Sequence, residues 1–286
     1  MAPLGLGCAA IGNLYSRISD ATAEAALAAA WQGGIRFFDT APYYGHGLSE
    51  SRLGKFLSKI RDHDAVVSTK VGRSLRPVSP EAVPDHGFVD PMPYQPYFDY
   101  SGDAVRDQVR ASQARLGIDR FAMLLLHDIG VLTHGAAHEA VMRTALQQAL
   151  PALNEFKLAG VTQAVGIGVN EVDVCLQVLA DADIDVILLA GRYTLLEQGA
   201  LNALLPACQR RSISVVIGGP YNSGLLAGGQ HYDYGAVPAA VRERVLRIST
   251  ICREHDVPVA AAALQFPLAH PSVAAVIPGA RSPAEV

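Results

Sequence analysis

Eight short apolar runs recur along the whole chain, and longer stretches with helical periodicity separate them. This alternation is typical of repeated βα units, because parallel strands must be joined by crossover connections that are usually helices. The predicted strands cover residues 4–9, 35–41, 65–71, 121–128, 164–170, 185–191, 214–220 and 274–279. Helices predicted between them include 20–32, 103–116, 140–158 and 238–255.

The eight units are expected to form one domain over residues 1–286, because no linker, composition break or internal repeat divides them. Eight βα units close a (β/α)8, or TIM, barrel of about 250 residues. The predicted fold class is therefore α/β, a single (β/α)8 barrel, and two domains are the weaker alternative. The chain ends at Val286, directly after the eighth strand, so we expect it to lack the closing C-terminal helix.

Composition excludes several classes of protein. Half of the residues are hydrophobic and 17% are charged, so the chain can bury a large core and is not disordered. A net charge of −4 without runs of like charge speaks against nucleic acid or an anionic membrane as a partner. The uncharged stretch 257–280 is broken by prolines, which favours a buried helix and strand over a membrane span.

The cysteines and the N-terminal segment indicate a cytoplasmic protein. No basic region precedes the apolar start, so no secretory signal is expected. The cysteines are far apart, which favours reduced thiols over disulfides or a zinc site: they are Cys8, Cys175, Cys208 and Cys252. His134 and His138 have helical metal-ligand spacing, but a solvated loop and helix start explains them better, so no metal is predicted. No sequence feature specifies an oligomeric state.

Polar side chains stand at the ends of three neighbouring predicted strands. Asp39 lies near the end of the second strand, Lys70 of the third and His127 of the fourth, and Tyr44 follows Asp39 by five residues. A carboxylate in an apolar strand is costly unless it is paired, so Asp39 is expected to pair with Lys70. We expect Lys70 to lower the pKa of Tyr44, which would transfer a proton at an oxygen that His127 orients. Each residue alone would more often be structural, but four at one barrel mouth favour catalysis.

A family signature coincides with these positions. Residues 38–45 read Phe-Asp-Thr-Ala-Pro-Tyr-Tyr-Gly and are followed by Ser49-Glu50 and Leu53-Gly54. Together with Lys70 and His127, this run resembles the signature of the aldo-keto reductases. The resemblance implies a nicotinamide cofactor and a catalytic tetrad of Asp39, Tyr44, Lys70 and His127. The family's tyrosine directly precedes the glycine, so Tyr44 and not Tyr43 is the expected acid/base.

Further segments are similar to one branch of this family. Residues 87–91, 99–102, 188–196 and 218–224 resemble the aldose 1-dehydrogenases, including L-fucose dehydrogenase, and pyridoxal 4-dehydrogenase. The resemblance implies oxidation of the C1 hemiacetal hydroxyl of an aldose such as L-fucose to the lactone, with a sugar or a pyridoxal-like molecule as substrate. The alternatives are a pyridoxal 4-dehydrogenase, a general aldehyde or ketone reductase, and a non-catalytic nicotinamide-binding redox sensor.

The resemblance also implies where the cofactor lies. The expected contacts are Gly7, Asp39, Asn170, Gly219, Pro220, Tyr221, Asn222, Ser223, Leu225, Gly279, Arg281 and Ser282. Val169, Ala190 and Gly218 replace the serine, glutamine and tyrosine that many members place around the nicotinamide. NAD is expected in preference to NADP, because Gly279 and Glu285 replace the lysine and arginine that pair with the 2′-phosphate in NADP-specific members. NADP stays possible through Arg281.

The stretch 72–102 is predicted to be a long loop after the third strand. Such loops in compact domains are usually functional or disordered, and this one follows a strand, on the side of the barrel where active sites lie. Its aromatic residues Phe88, Tyr94 and Tyr97 are therefore expected to line the substrate site with Tyr44 and His127. The alternative is a locally packed hydrophobic flap.

Overall fold

Eight parallel strands form a barrel in the computed structural model, which describes residues 2–60, 64–233 and 235–286. The described strands are β1 Gly5–Gly7, β2 Phe37–Asp39, β3 Val66–Val71, β4 Arg73–Pro77, β5 Tyr94–Phe98, β6 Phe121–His127, β7 Thr162–Val169, β8 Val186–Ala190, β9 Ser214–Gly218 and β10 Val273–Ile277. The barrel order is β1-β2-β3-β6-β7-β8-β9-β10, and β4 and β5 form a separate hairpin. All eight predicted barrel strands are confirmed, with shifts of one to a few residues at their ends.

The barrel closes where β1 meets β10. Leu4 forms an isolated parallel bridge with Val276, and Gly7 forms another with Gly279. The Val276 amide donates to the Pro3 carbonyl oxygen at 2.9 Å, and the Gly7 amide donates to the Pro278 carbonyl oxygen at 2.8 Å. We call this line of contacts the seam.

Helices surround the barrel. Those described are α1 Asp20–Gln32, α2 Leu48–Leu57, α3 Gly102–Leu116, α4 Val131–His134, α5 His138–Thr144, α6 Leu150–Leu158, α7 Val172–Asp181, α8 Leu204–Arg210, α9 Ala239–Glu254 and α10 Val259–Gln265. Ser19 and Ser101 begin α1 and α3 as N-caps, since each hydroxyl accepts the backbone N–H three residues further into the helix. A π-helical turn, Ala145–Ala149, joins α5 to α6 within the stretch predicted as one helix. Residues 278–286 contain turns and no helix.

Alternate strand residues build two apolar layers. Phe38, Leu124 and Val165 face outwards and pack in the cluster that includes the helical residues Leu27 and Val109. The side chains that fill the barrel interior are Phe37, Met123, Leu125, Val186, Leu188, Val216, Ala275 and Ile277. Because the interior is filled, space for a small molecule is left at the C-terminal ends of the strands.

The predicted long loop 72–102 instead contains the antiparallel hairpin β4–β5, with Arg73 opposite Phe98 and Pro77 opposite Tyr94. Its strands are largely exposed or half-buried, so they lack the apolar alternation that would have predicted them. Gly72 begins the hairpin with φ of +107°, and a Cβ atom there would lie 2.2 Å from the Tyr100 ring. Glycine therefore allows the chain to turn sharply between β3 and β4.

No helix in the described ranges combines the length and the apolar character that crossing a membrane requires.

Candidate active site

A buried lysine forms the centre of the site at the ends of β2 and β3. Lys70 is 1% exposed, and its Nζ lies 2.7 Å from Asp39 Oδ2, 2.9 Å from the Thr40 carbonyl oxygen and 3.0 Å from Tyr44 Oη. An ammonium group has three N–H donors and no acceptor, so these three oxygens take all of them. Tyr44 Oη therefore accepts from Lys70 and keeps its own proton for a partner in the adjoining cavity.

Asp39 is buried and fixes the charge of this lysine. Its Oδ1 accepts a 2.6 Å hydrogen bond from the Ser68 hydroxyl, and its Oδ2 accepts from Lys70. Burial lowers the pKa of Lys70, but Asp39 and Tyr44 raise it more, and the net shift is upwards. The ammonium therefore stays charged throughout the neutral and moderately alkaline range, as the expected pairing of Asp39 with Lys70 requires.

The protonation states of Tyr44 and His127 follow from burial. Burial raises the pKa of Tyr44 more than the adjacent Lys70 lowers it, so the net shift is upwards. The prediction of a lowered pKa for Tyr44 is therefore wrong, because it counted the ammonium and not the loss of water. Burial, with Arg73 and Lys70, holds the pKa of His127 well below its usual value. His127 is thus a neutral imidazole, which can orient an oxygen without protonating it.

A second ion pair, between buried Glu50 and half-buried Arg115, supports the strand that carries Lys70. Glu50 on α2 is fully buried, and its carboxylate accepts 2.7 Å and 2.6 Å hydrogen bonds from the Thr69 hydroxyl and from Arg115 Nε. These contacts join α2, β3 and α3 directly behind the site. Sequence reasoning placed Glu50 only in the family signature and gave it no role.

A cavity of about 450 Å³ opens at Tyr44, Lys70 and His127. This volume is typical of small-molecule sites, which enclose ~300–1,000 Å³. One wall consists of residues at the ends of β7 and β8, namely Gly168, Val169, Asn170, Leu188 and Ala190. The other lining residues are Ala9, Leu14, Tyr15, Tyr43, Arg73, His86, Gly87, Phe88 and Asp128.

The structure brings some of the predicted substrate residues together and not others. Tyr44, His127 and Phe88 all line the cavity. Tyr94 and Tyr97 do not, because both lie on β5, and that strand belongs to the outer hairpin. Tyr97 is 43% exposed and packs beneath the Arg76 guanidinium. Of the aromatic residues predicted from the loop, only Phe88 therefore lines the cavity, and Tyr43 lines it as well.

The predicted cofactor residues lie around the same mouth. Asn170 lines the cavity, Gly7 and Gly279 meet across the seam, and Asp39 lies behind Lys70. The loop after β9 carries Gly219, Pro220, Tyr221, Asn222, Ser223 and Leu225. The Asn222 side chain is already engaged, because it accepts from the Thr194 hydroxyl at 2.7 Å and donates to the Gly191 carbonyl oxygen at 3.2 Å. It therefore joins the loops after β8 and β9.

Small residues open the cavity wall on this side. A Cβ atom on Gly218 would lie 3.2 Å from the Leu188 side chain and 3.5 Å from Ala190 Cβ, so the larger side chains expected in many family members would narrow this space. Asn170, with both amide donor and acceptor groups, borders the same space. These residues fit a flat carboxamide-bearing ring such as nicotinamide beside Tyr44.

Beyond β10, Arg281 is paired within its own turn. Its Nη2 lies 2.7 Å from Glu285 Oε1, and its backbone amide donates to Glu285 Oε2 at 2.8 Å. Ser282 lies in the same turn and its backbone carbonyl oxygen accepts from the Glu285 amide. Arg281, the cation expected to keep NADP binding possible, is therefore neutralised by the Glu285 carboxylate.

Sequence reasoning missed two charged residues of the cavity and misplaced one histidine. Arg73 and Asp128 line the cavity as an ion pair, and the signal for Asp128 was available, since it directly follows His127. His138 was expected in a solvated segment, but it is buried and bonds the Ile129 carbonyl oxygen and Gln177 at 3.1 Å each. Within the described residues, no three His, Cys, Asp or Glu side chains form a group that could hold a metal ion.

The fold and the site define a class of protein: a (β/α)8 barrel with a lysine-bound tyrosine at a cavity on the C-terminal ends of its strands, an arrangement suited to proton transfer. Residues 3–286 match the model of the Aldo/keto reductase family, and the chain belongs to this family. The protein is therefore an oxidoreductase, and its family uses nicotinamide cofactors.

Two characterised relatives are similar over nearly the whole chain. A D-threo-aldose 1-dehydrogenase from Pseudomonas sp is 43% identical, covering 99% of this chain and 86% of the relative. A pyridoxal 4-dehydrogenase from Microbacterium luteolum is 42% identical with the same two coverages. Among solved structures, the holo form of an aldo-keto reductase from Bacillus halodurans matches 99% of this chain and 83% of its own chain, with 26% identity and a TM-score of 0.72.

Proposed function

We propose that the protein oxidises the C1 hemiacetal hydroxyl of an aldose, such as L-fucose, to the lactone. The observation that carries this proposal is the Tyr44 hydroxyl, which Lys70 holds by a 3.0 Å hydrogen bond at the cavity. The similarity to an aldose 1-dehydrogenase supports the choice of substrate.

Four residues of this chain would carry the reaction. When bound, the oxidised nicotinamide supplies the hydride acceptor. As the C1–H bond gives up its hydrogen with both electrons, Tyr44 Oη takes the proton of the C1 hydroxyl and the lactone carbonyl forms. The phenolate that starts this step is stabilised by the Lys70 ammonium, whose charge Asp39 fixes. Neutral His127 holds the reacting oxygen by a hydrogen bond.

NAD is proposed as the preferred cofactor, with NADP possible. A 2′-phosphate near Arg281 would compete with Glu285, whose carboxylate already accepts four hydrogen bonds from the guanidinium and the backbone amide of Arg281. Charge-assisted hydrogen bonds contribute about 1.5–3 kcal/mol each, so a phosphate that gains none loses at least about tenfold in affinity per contact. NAD lacks the phosphate and loses nothing.

A second candidate function is the oxidation of pyridoxal. It is supported by the 42% identity to a pyridoxal 4-dehydrogenase and by the aromatic rings of Tyr43 and Phe88, which meet edge to face with their centroids 5.4 Å apart in the cavity wall. An aromatic substrate could pack against these rings.

The decisive experiment is a panel of aldoses and pyridoxal with NAD+ and with NADP+, followed by the absorbance of the reduced nicotinamide. We expect turnover of at least one aldose, faster with NAD+. Turnover of pyridoxal alone would favour the second candidate. Reduction of simple aldehydes without oxidation of either substrate class would indicate a general reductase, and cofactor binding without any turnover would indicate a redox sensor.

A further inference from the structure

A charged pair stands in the cavity wall outside the catalytic tetrad. Arg73 is only 9% exposed, and its Nη2 lies 2.5 Å from Asp128 Oδ2. Its guanidinium carbon lies 3.8 Å from the centroid of the Tyr43 ring and 4.8 Å from that of Phe98. The guanidinium is therefore fixed in place by two aromatic rings and one carboxylate, which is more support than a mobile surface arginine has.

The donors of Arg73 are not used up by these contacts. A guanidinium carries five N–H groups. Nη2 donates to Asp128, whereas the buried Nε has no acceptor among the described residues. Buried donors are rarely left unpaired in folded proteins, because the lost hydration is not replaced. Because Nε is buried, a ligand in the cavity would reach this guanidinium through Nη1, which also bonds no acceptor among the described residues.

Asp128 is held towards the cavity by an unusual backbone conformation. Its φ is +49°, a left-handed conformation that residues with side chains seldom adopt and that is often found at functional sites. The Asp128 amide donates to the Gly168 carbonyl oxygen at 3.0 Å, and the Tyr100 hydroxyl donates to the His127 carbonyl oxygen at 2.6 Å. These bonds hold the turn and keep the Asp128 carboxylate beside the His127 ring, with 3.4 Å from Oδ2 to Nε2.

The pair thus presents an acceptor and a donor next to each other, close to the residues that hold the reacting oxygen. Asp128 Oδ1 accepts no hydrogen bond from the part of the chain that the structure describes. A hydroxyl group both donates and accepts, so one hydroxyl can donate to Asp128 while its neighbour accepts from Arg73. Phe88 and Tyr43 offer apolar surface in the same cavity, against which the C–H face of a ring carrying these hydroxyls can pack.

We propose that Arg73 and Asp128 are the specificity-determining pair of the site and bind the vicinal hydroxyls on C2 and C3 of an aldose ring. This inference rests on the proposed oxidation at C1, since it assumes that Tyr44 and His127 hold the C1 oxygen. It makes the substrate class narrower: an aldose with both hydroxyls intact is favoured over pyridoxal, whose planar aromatic ring has no such saturated diol.

The test measures binding separately from turnover. Two sugars are used, L-fucose and whichever aldose is oxidised best in the panel, each with its 2-deoxy and 3-deoxy analogues. All are titrated calorimetrically into the Tyr44→Phe enzyme saturated with NAD+. The same titrations are made with Asp128→Asn and with Arg73→Lys added to that background. Arg76→Lys is the matched control, because Arg76 lies on the same strand as Arg73 but is exposed and bonds Gln95 instead of a cavity residue.

We expect loss of one hydroxyl to weaken binding by at least about tenfold when the pair is intact, as a lost charge-assisted hydrogen bond should. In Asp128→Asn or Arg73→Lys the parent sugar should bind about tenfold more weakly. Removal of the hydroxyl whose partner was replaced should then cost less than about threefold, whereas removal of the other hydroxyl should keep its penalty. Arg76→Lys should leave every affinity unchanged. Circular dichroism and NAD+ affinity show that each variant is folded, and either variant suffices.

Equal deoxygenation penalties with and without the pair would overturn the proposal, as would the absence of any aldose binding. The outcome is separable from that of the proposed function. Diol-dependent binding without oxidation in the wild-type enzyme would refute the proposed function and support the recognition pair. Oxidation of an aldose that is indifferent to both deoxygenation and Asp128→Asn would do the opposite.

Discussion

Replacing Tyr44 with phenylalanine removes a single oxygen atom from the centre of the site. The ring keeps its packing against Phe88 and His127, whose centroids lie 6.3 Å and 6.0 Å away. Lys70 keeps two of its three acceptors, Asp39 and the Thr40 carbonyl oxygen. The substitution should therefore leave folding and cofactor affinity nearly unchanged while it removes the proton-transfer group.

The expected loss follows from that role. General acid–base catalysis by a positioned side chain contributes about 10²–10⁴ in rate, which corresponds to roughly 2.7–5.4 kcal/mol at about 1.36 kcal/mol for each factor of ten. We expect kcat for aldose oxidation by Tyr44→Phe to fall by at least ~10². The assay is steady-state turnover with NAD+, together with the NAD+ dissociation constant from calorimetry.

The neighbouring tyrosine provides the matched control. Tyr43 also lines the cavity, but its hydroxyl bonds to no described residue, and its ring packs beneath Arg73 at 3.8 Å. Tyr43→Phe keeps this ring, so kcat should change by less than about threefold. If both variants lost activity equally, or if Tyr43→Phe were the inactive one, the assignment of the acid/base to Tyr44 would be wrong.

Three further outcomes are expected. Because burial raises the pKa of Tyr44, the phenolate needed for oxidation forms only at alkaline pH, so kcat/KM for the aldose should rise with pH. Lys70→Met should move this rise to still higher pH or abolish activity. A flat wild-type profile would contradict the mechanism. Glu50→Gln removes the charge of a fully buried carboxylate and should lower the free energy of unfolding in urea by about 3 kcal/mol, whereas no measurable change would show that the pair is dispensable. Glu285→Gln removes the carboxylate charge that pairs with Arg281, so the guanidinium can bind the 2′-phosphate and the ratio of kcat/KM for NADP+ to that for NAD+ should rise about tenfold. An unchanged ratio would show that this arginine does not reach the 2′-phosphate.

The fold was predictable from the sequence wherever burial imposes a pattern. The runs around Phe37 and Leu124 are apolar because both faces of a barrel strand are covered, so their order predicts a parallel sheet. The hairpin β4–β5 escaped prediction for the opposite reason. Its side chains are exposed or half-buried, and the two strands are separated by a long segment without a hairpin turn sequence.

The site was predictable where residue chemistry is costly in its context. A carboxylate, an ammonium and an imidazole at apolar strand ends demanded partners, and the structure places Asp39, Lys70 and Tyr44 within hydrogen-bond distance of one another. The direction of the Tyr44 pKa was not predictable in this way, since it depends on the depth of burial. The pairing of Arg73 with Asp128 also required three dimensions, because the two residues come from strand ends far apart in sequence.

The seam between β1 and β10 makes the two ends of the chain interdependent. Its hydrogen bonds, from the Gly7 amide to Pro278 and from the Val276 amide to Pro3, close a loop that contains nearly the whole chain. The entropic cost of closing a loop grows only logarithmically, by about 0.6 kcal/mol for each doubling of its length. The cost of closing even a loop of this length is therefore not prohibitive. Contacts of such high sequence separation slow folding, because the entropy of closing the loop is lost before the contacts compensate for it. A substitution that weakens the contact between Gly7 and Gly279 should therefore lower the stability of the whole barrel and not of one terminus alone.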